Sequence, residues 1–267
     1  MTPWHRPDNF FSPPEDYYLR MFFEDFPLIW EALDSIGSFI KKCFHPNVAA
    51  LRAQGDLVTK TSAITPEGVF FGVTYQTGQD GNLEVFSGER LLHDAALIQA
   101  GAFLADDDIE LAQGVLVESG AMLKGPTLIG PRTQVRQGAY VRGQVLTLED
   151  CIVGHATEAK NIIMLKGAKA GHFAYLGDSI LGANVNLGAG TKLANLKMLD
   201  SPFRFKVDGQ EHTVKRHKFG AILGDGVETG CNSVTSPGVM LGPSSKVLPN
   251  VTVKGGYYGR RTIIRSS

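Results

Sequence analysis

The amino-acid sequence predicts an all-β fold, a parallel β-solenoid preceded by an aromatic arm and one helix. Two observations carry the solenoid. Apolar or small residues recur every six positions at Leu111, Val117, Leu123, Ile129, Val135, Val141, Thr147 and Val153, then at Ala159, Met164, Ala170, Leu176, Leu181, Leu187 and Leu193 with two intervals shortened by one residue. After an interruption the step resumes at Leu223, Thr229, Thr235, Leu241, Val247 and Val253. No α-helix has this period, whereas a strand of two residues followed by a turn does. Each hexapeptide then makes one flat side, the recurring residue points inward, and three sides close a triangular coil. Successive coils stack at roughly 4.8 Å.

The totals limit what such a chain can do. At 267 residues, 43% apolar and 20% charged, it has an ordinary globular composition with material for one large or two modest cores. A net charge of −1 argues against a general nucleic-acid surface and against electrostatic adhesion to an anionic membrane. Cys43, Cys151 and Cys231 are odd in number, widely spaced and without a C-x-x-C pair, so they suggest neither structural zinc nor a redox motif, and a reducing cytoplasm is the expected location. The start, "MTPWHRPDNFFSPPEDYYLR", lacks the cationic patch and apolar run of a secretory signal. The longest mostly apolar stretch, "AALIQAGAFLA", is too short to span a bilayer.

The elements follow in order. Residues 1–50 concentrate aromatics and proline, and "FPLIWEALDSIGSFIKKC" places Phe26, Trp30, Leu33, Ile36 and Ile40 near one helical face. The pattern predicts an irregular arm and a helix from about Pro27 to Cys43, ended by His45-Pro46, with its apolar stripe docked on the body or on a second subunit. Residues 51–105 are expected to form a transition and the first coils, where "VFFGVTYQTGQDGNLEVF" reads as a hairpin about its Gly/Asp/Asn cluster. The solenoid is expected over 106–256, followed by a tail over 257–267. An insertion at about 197–217 interrupts it: Phe203, Phe205 and Val207 alternate, Asp208-Gly209 makes a turn and Val214 follows, a β-hairpin excursion from one corner. Insertions in solenoids map to a face where ligands or neighbours bind.

The run "AKNIIMLKGAKAGHFAYLGDSILGANVNLGAGTKLAN" resembles the C-terminal acetyltransferase domain of bifunctional N-acetylglucosamine-1-phosphate uridyltransferase/glucosamine-1-phosphate acetyltransferase, and the likeness extends from about Ile129 to Val253. The general rule favours right-handed crossovers. The resemblance instead implies the left hand, a left-handed parallel β-helix, because hexapeptide proteins are the known exception. It further implies a homotrimer with sites between subunits, acetyl-CoA as co-substrate, and N-acetyl transfer to an amino-sugar phosphate or a nucleotide-linked amino sugar. By the same resemblance His172 matches the general base, a task that neutral imidazole suits. Arg136 in "VRQGAY" and Lys160 in "EAKN" match anchors for substrate phosphate, with Tyr175 and Asn186 as sugar-site contacts. Ala189, Asn195 and Lys218 match positions that line the acetyl-CoA groove. The chain departs from the family at three places there: Leu196 replaces a tyrosine, Cys231 a serine and Pro249 an alanine. Nothing in residues 1–110 matches the nucleotide-binding signature of the uridyltransferase domain, so formation of the nucleotide–sugar bond is not expected.

Other readings stand beside this one. His155 follows Val153 by two places and His172 follows Ala170 by two, so the histidines occupy equivalent sites one coil apart. The gamma carbonic anhydrases, also hexapeptide proteins, bind zinc through histidines of adjacent coils, and His212 and His217 have a spacing seen in that family. Those two lie in the hairpin excursion, however, and no metal is expected. A non-catalytic scaffold that binds a sugar nucleotide or a partner enzyme is the principal alternative. The glycines of "LGAGT" fall where hexapeptide turns require them, which excludes a Rossmann phosphate loop.

Overall fold

The residues of the six-residue step form the interior. In a computed structural model of the chain, which describes residues 4–13, 22–78, 83–199, 201–207 and 209–266, the recurring positions from Leu111 to Val253 are all buried, none more than 5% exposed. Burying a Val, Leu or Ile side chain contributes about 1.5–3 kcal/mol, so a step sustained over this length outweighs the weak pairing of two-residue strands. The result is a left-handed parallel β-helix of about nine turns.

Three flat faces run along it. The first is a parallel ladder from Ala96–Ile98 through Leu116–Val117, Gln134–Val135, Ile152–His155, Lys169–His172, Asn186–Leu187, Glu228–Thr229 and Lys246–Val247 to Ile263–Ile264. The second runs from Phe103–Leu104 to Thr252–Val253 and includes Tyr140–Val141, Lys192–Leu193 and the first halves of the long strands Glu158–Met164 and Tyr175–Leu181. The third begins at Ile109–Leu111, uses the second halves of those long strands, and ends at Gly256–Tyr258. The parallel ladders therefore begin at Ala96, within the 51–105 region, and run past the expected limit of 256. Ala96–Ile98 pairs in parallel with Leu116–Val117, and Ile263–Ile264 with Lys246–Val247. The terminal coils escape the six-residue count because their strands are spaced irregularly and Tyr258 and Ile264 are only half-buried.

The third face is apolar on its outside as well. Leu146, Ile163, Ile180, Ile222 and Met240 point away from the interior and are covered by Phe10, Ile29, Trp30, Leu33, Ile36 and Ile40 of the N-terminal region. The helix stripe thus docks on the body of its own chain. The helix itself begins later than the sequence suggests: Ile29–Glu31 is a 3-10 turn and the α-helix spans Ala32–Cys43. Leu28 is extended and the Ile29 N–H donates to the His5 carbonyl oxygen, so the chain before Ile29 is tied to the arm.

The run at 69–86 divides differently from the single hairpin expected there. Gly72, at φ 71°, breaks its first half. Gly68–Phe71 pairs with Ser62–Thr65, while Thr74–Thr77 pairs with Leu83–Ser87 across a turn at 79–82 that lies outside the described residues. The insertion is an antiparallel hairpin of Phe203–Val207 and Gln210–Val214; Asp208 of its expected turn also lies outside the described residues. Phe203, Phe205 and Val207 face inward, with Phe203 against Phe219 (5.5 Å between ring centroids) and Phe205 against Trp4 (5.5 Å). Arg216 donates to the Trp30 carbonyl oxygen and pairs with Asp34, joining the insertion to the arm. Among the described residues no helix is long and apolar enough to cross a membrane.

Candidate functional site

At the corner after each strand of the first face, one residue turns the chain and the next takes up a left-handed conformation. Ala156, Phe173, Gly190, Asn232 and Asn250 have φ of 49°, 53°, 76°, 57° and 58°. The N–H of each donates to the carbonyl oxygen of the corner residue one coil back: Phe173 to His155 (2.8 Å), Gly190 to His172 (3.0 Å), Asn232 to Ala189 (2.8 Å) and Asn250 to Cys231 (2.9 Å). His155, His172, Ala189, Cys231 and Pro249 therefore form a single column, with His155 and His172 in direct register as the sequence count predicts.

The two histidines are held differently. His155 is half-buried, its Nδ1 lies 2.9 Å from the Gln137 carbonyl oxygen, and its ring meets Phe173 edge-on at 5.3 Å. A carbonyl oxygen only accepts, so Nδ1 of His155 carries the proton. His172 is exposed, and its nearest aromatic neighbour is the exposed Phe173 at 6.2 Å. Above it the column continues with the small Ala189 and the exposed Cys231, which leaves an open strip. Phe203, Phe205, Val207 and Val214 of the insertion cluster with Ile222 and Met240 of the third face. Asn186 is exposed on the first face three residues before Ala189, in register between Lys169 and Glu228.

Tyr175 opens the second face three residues after His172. Its outward ladder reads Tyr140, Glu158, Tyr175, Lys192. The Tyr175 hydroxyl donates to Oδ1 of Asn195 (3.3 Å), Asn195 Nδ2 donates to Oδ2 of Asp178 (2.5 Å), and Asn161 Nδ2 donates to Oδ1 of the same carboxyl (2.9 Å). Asn161, Asp178 and Asn195 are buried at equivalent positions on three successive coils, each two residues past the aligned Ala159, Leu176 and Leu193. Gly177 makes room for this chain, since a Cβ there would stand 2.7 Å from the Tyr175 hydroxyl. Burial, and next the charge of Glu158, push the Tyr175 hydroxyl above the ordinary tyrosine value. Asn195 and Lys218 thus lie at the far edge of the second face from Ala189 and Cys231: the Phe219 N–H, directly after Lys218, donates to the Asn195 carbonyl oxygen (2.8 Å).

Lys160 and Arg136 are not brought together. Arg136 ends a first-face strand, where register aligns it with Gly154 and Gly171, and its Nε and Nη2 both donate to Gln134 Oε1 (3.0 and 2.9 Å). The residue in register with Lys160 is Arg142, which donates to Glu158 (2.5 Å) and lies over the Tyr140 ring (5.8 Å). Arg142 and Glu158 thus stand beside Lys160, although no motif points to them. Their signal is spacing, for Arg142 precedes Lys160 by eighteen residues, one full coil. His212 packs its ring against Trp4 (4.8 Å) and Phe205 (6.5 Å), a place in an aromatic cluster.

Comparison with known proteins agrees with this architecture. Residues 123–263 match the family model described as the GMPPB C-terminal domain. The chain is similar to the bifunctional sugar-1-phosphate nucleotidylyltransferase/acetyltransferase of Sulfurisphaera tokodaii, 31% identical over 154 residues, which is 55% of this chain and 38% of that protein. It is 39% identical over 115 residues to the bifunctional protein GlmU of Methanococcus vannielii, covering 43% of this chain and 28% of the relative. With the bifunctional protein GlmU of Trichlorobacter lovleyi it shares 26% identity over 206 residues, 74% of this chain and 39% of the relative. The chain therefore spans less than two fifths of the length of these curated relatives.

Proposed function

The chain belongs to the GMPPB C-terminal domain family, and we propose that it transfers an acetyl group from acetyl-CoA to the amine of an amino-sugar phosphate or a nucleotide-linked amino sugar. One observation carries this reading: of two histidines in register, His155 is tied to a carbonyl oxygen while His172 stands exposed at the foot of an open strip formed by Ala189 and Cys231. The Sulfurisphaera tokodaii relative, whose name includes acetyltransferase, supports it.

In this reading the thioester of acetyl-CoA lies along the strip and His172 is the general base. The acceptor nitrogen attacks the thioester carbonyl carbon, a nitrogen–carbon bond forms, and the carbon–sulfur bond breaks. His172 takes the proton from the nitrogen and returns it to the departing thiolate. Lys160 and Arg142 hold the acceptor phosphate, the guanidinium by its fork and the ammonium as a point charge. Tyr175 and Asn186 border the sugar.

Base and anchors stand at opposite edges of the second face. His172 and Gly177, which is in register with Lys160, are five residues apart, up to about 16 Å of extended chain. One amino-sugar phosphate is shorter than that span. A homotrimer in which His172 of one protomer meets the cations of its neighbour closes the gap, with the symmetric closure usual for homo-oligomers. The test is release of free coenzyme A from acetyl-CoA in the presence of amino sugars, their 1-phosphates and their nucleotide forms. Release that depends on one acceptor class supports the reading; no release with any acceptor overturns it in favour of a non-catalytic scaffold.

A further inference from the structure

The second face carries a line of three cations. Leu123, Val141 and Ala159 are in register on successive coils, so Lys124, Arg142 and Lys160, each one residue further on, stack one above another. At the coil spacing the line is about 10 Å long. It is bounded at both ends, since the same register places Ala105 below Lys124 and Gly177 above Lys160.

Its charge is only partly neutralised. Arg142 shares its charge with Glu158. Among the described residues, Lys124 and Lys160 have no carboxylate partner, and Lys124 instead lies over the face of the Tyr140 ring at 5.4 Å. Two uncompensated ammonium groups therefore flank a guanidinium that is already half-satisfied. A monophosphate reaches two adjacent rungs of such a line and leaves the third idle. A diphosphate, with its charge spread over two linked phosphoryl groups, engages all three.

We infer that this line binds a diphosphate and that the acceptor is a nucleoside diphosphate-linked amino sugar in preference to a sugar 1-phosphate. The inference rests on the acetyltransferase reading for its acceptor but on the line alone for its ligand. Coenzyme A also contains a diphosphate. The acceptor is the source assigned here because the strip proposed for the coenzyme, Ala189 and Cys231, continues upward from His172 at the opposite edge of the face, while the cation line lies on lower coils.

Calorimetric titration of the intact protein with inorganic pyrophosphate and with orthophosphate tests the line without any turnover. Pyrophosphate should bind about tenfold more tightly, and Lys124→Ala should remove that advantage while changing orthophosphate affinity less than about twofold, because a charge-assisted hydrogen bond is worth roughly one order of magnitude or more. Lys124→Arg should restore it. In turnover, Lys124→Ala should raise the KM for UDP-glucosamine about tenfold and spare the KM values for glucosamine 1-phosphate and for acetyl-CoA. Equal effects on both anions, or none, overturn the inference, and a rise confined to the acetyl-CoA KM assigns the line to the coenzyme instead. Absence of turnover with every acceptor refutes the transferase reading, and the calorimetry still decides the line.

Discussion

Asp178 should be the residue on which the far edge of the second face depends. Its carboxyl is 5% exposed and receives two amide donors, Asn161 Nδ2 at 2.9 Å and Asn195 Nδ2 at 2.5 Å, from side chains that are themselves 7% and 8% exposed. Water cannot readily take over either bond. In Asp178→Ala both donors lose their acceptor, at about 1–3 kcal/mol for each buried group left unpaired. The backbone there has φ 48°, a left-handed conformation that Asp tolerates and alanine resists, which adds about 1 kcal/mol. Asp178→Asn is the cleaner perturbation, because it keeps the shape and the backbone preference but exchanges one acceptor oxygen for a donor nitrogen. It should cost about 1–3 kcal/mol, a fall in melting temperature of about 2–10 °C for a chain of this size. Tyr175→Phe removes only the 3.3 Å bond at the end of the chain and should cost about 1 kcal/mol. Because coils couple mainly to their neighbours, amide exchange in Asp178→Asn should accelerate first around residues 161–195. An unchanged melting temperature in Asp178→Ala would refute the reasoning.

Two further outcomes follow from side-chain environment. Cys231 is exposed on the column above His172, whereas burial pushes the Cys151 thiol up to about 12; at pH 8 iodoacetamide should label Cys231 and spare Cys151 until the protein unfolds, and acetyl-CoA should slow the labelling of Cys231. Mass spectrometry of the modified peptides reads both effects, and labelling indifferent to acetyl-CoA would place the coenzyme elsewhere. His5 is held below the ordinary histidine value by burial first and then by the charges of His212 and Arg6. The released arm therefore binds a proton that the docked arm resists, so docking is fully stable above about pH 6.5 and weakens as pH falls below it. Emission from Trp4 and Trp30, the chain's two tryptophans, should shift between pH 8 and 5 and do so less in His5→Phe; identical profiles would remove His5 as the cause.

Much of the fold was legible because one force writes one pattern. The interior of a solenoid must be apolar at a fixed interval, and each residue of the six-residue step from Leu111 to Val253 is buried. The same count places His155 and His172 one coil apart, and they are in register. What stayed hidden lies where the pattern does not constrain the residue. Arg136 sits in a motif that suggests a phosphate anchor, yet its distance of 24 residues from Lys160 is one coil and one side, which takes it to another face. The cation one coil from Lys160 is Arg142, and only the register shows it. The buried chain from Asp178 to Tyr175 was illegible for a related reason. Polar residues at a corner are ordinarily solvated, and nothing in their identity says that Asn161 and Asn195 turn inward to share one carboxyl. The third face gave a mixed result: the aromatic arm and the helix stripe announced a docked surface, but the outward Ile163, Ile180 and Ile222 that receive it read simply as further strand residues.

The measurement closest to the central claim is kcat for coenzyme A release by the wild type and by His172→Ala, taken with the best acceptor on proteins whose melting temperatures are determined in parallel. His172 is exposed and makes few packing contacts, so the melting temperature should hold while kcat falls roughly 10²–10⁴-fold, the usual contribution of a positioned general base. Full turnover in a His172→Ala protein that melts like the wild type would contradict the account.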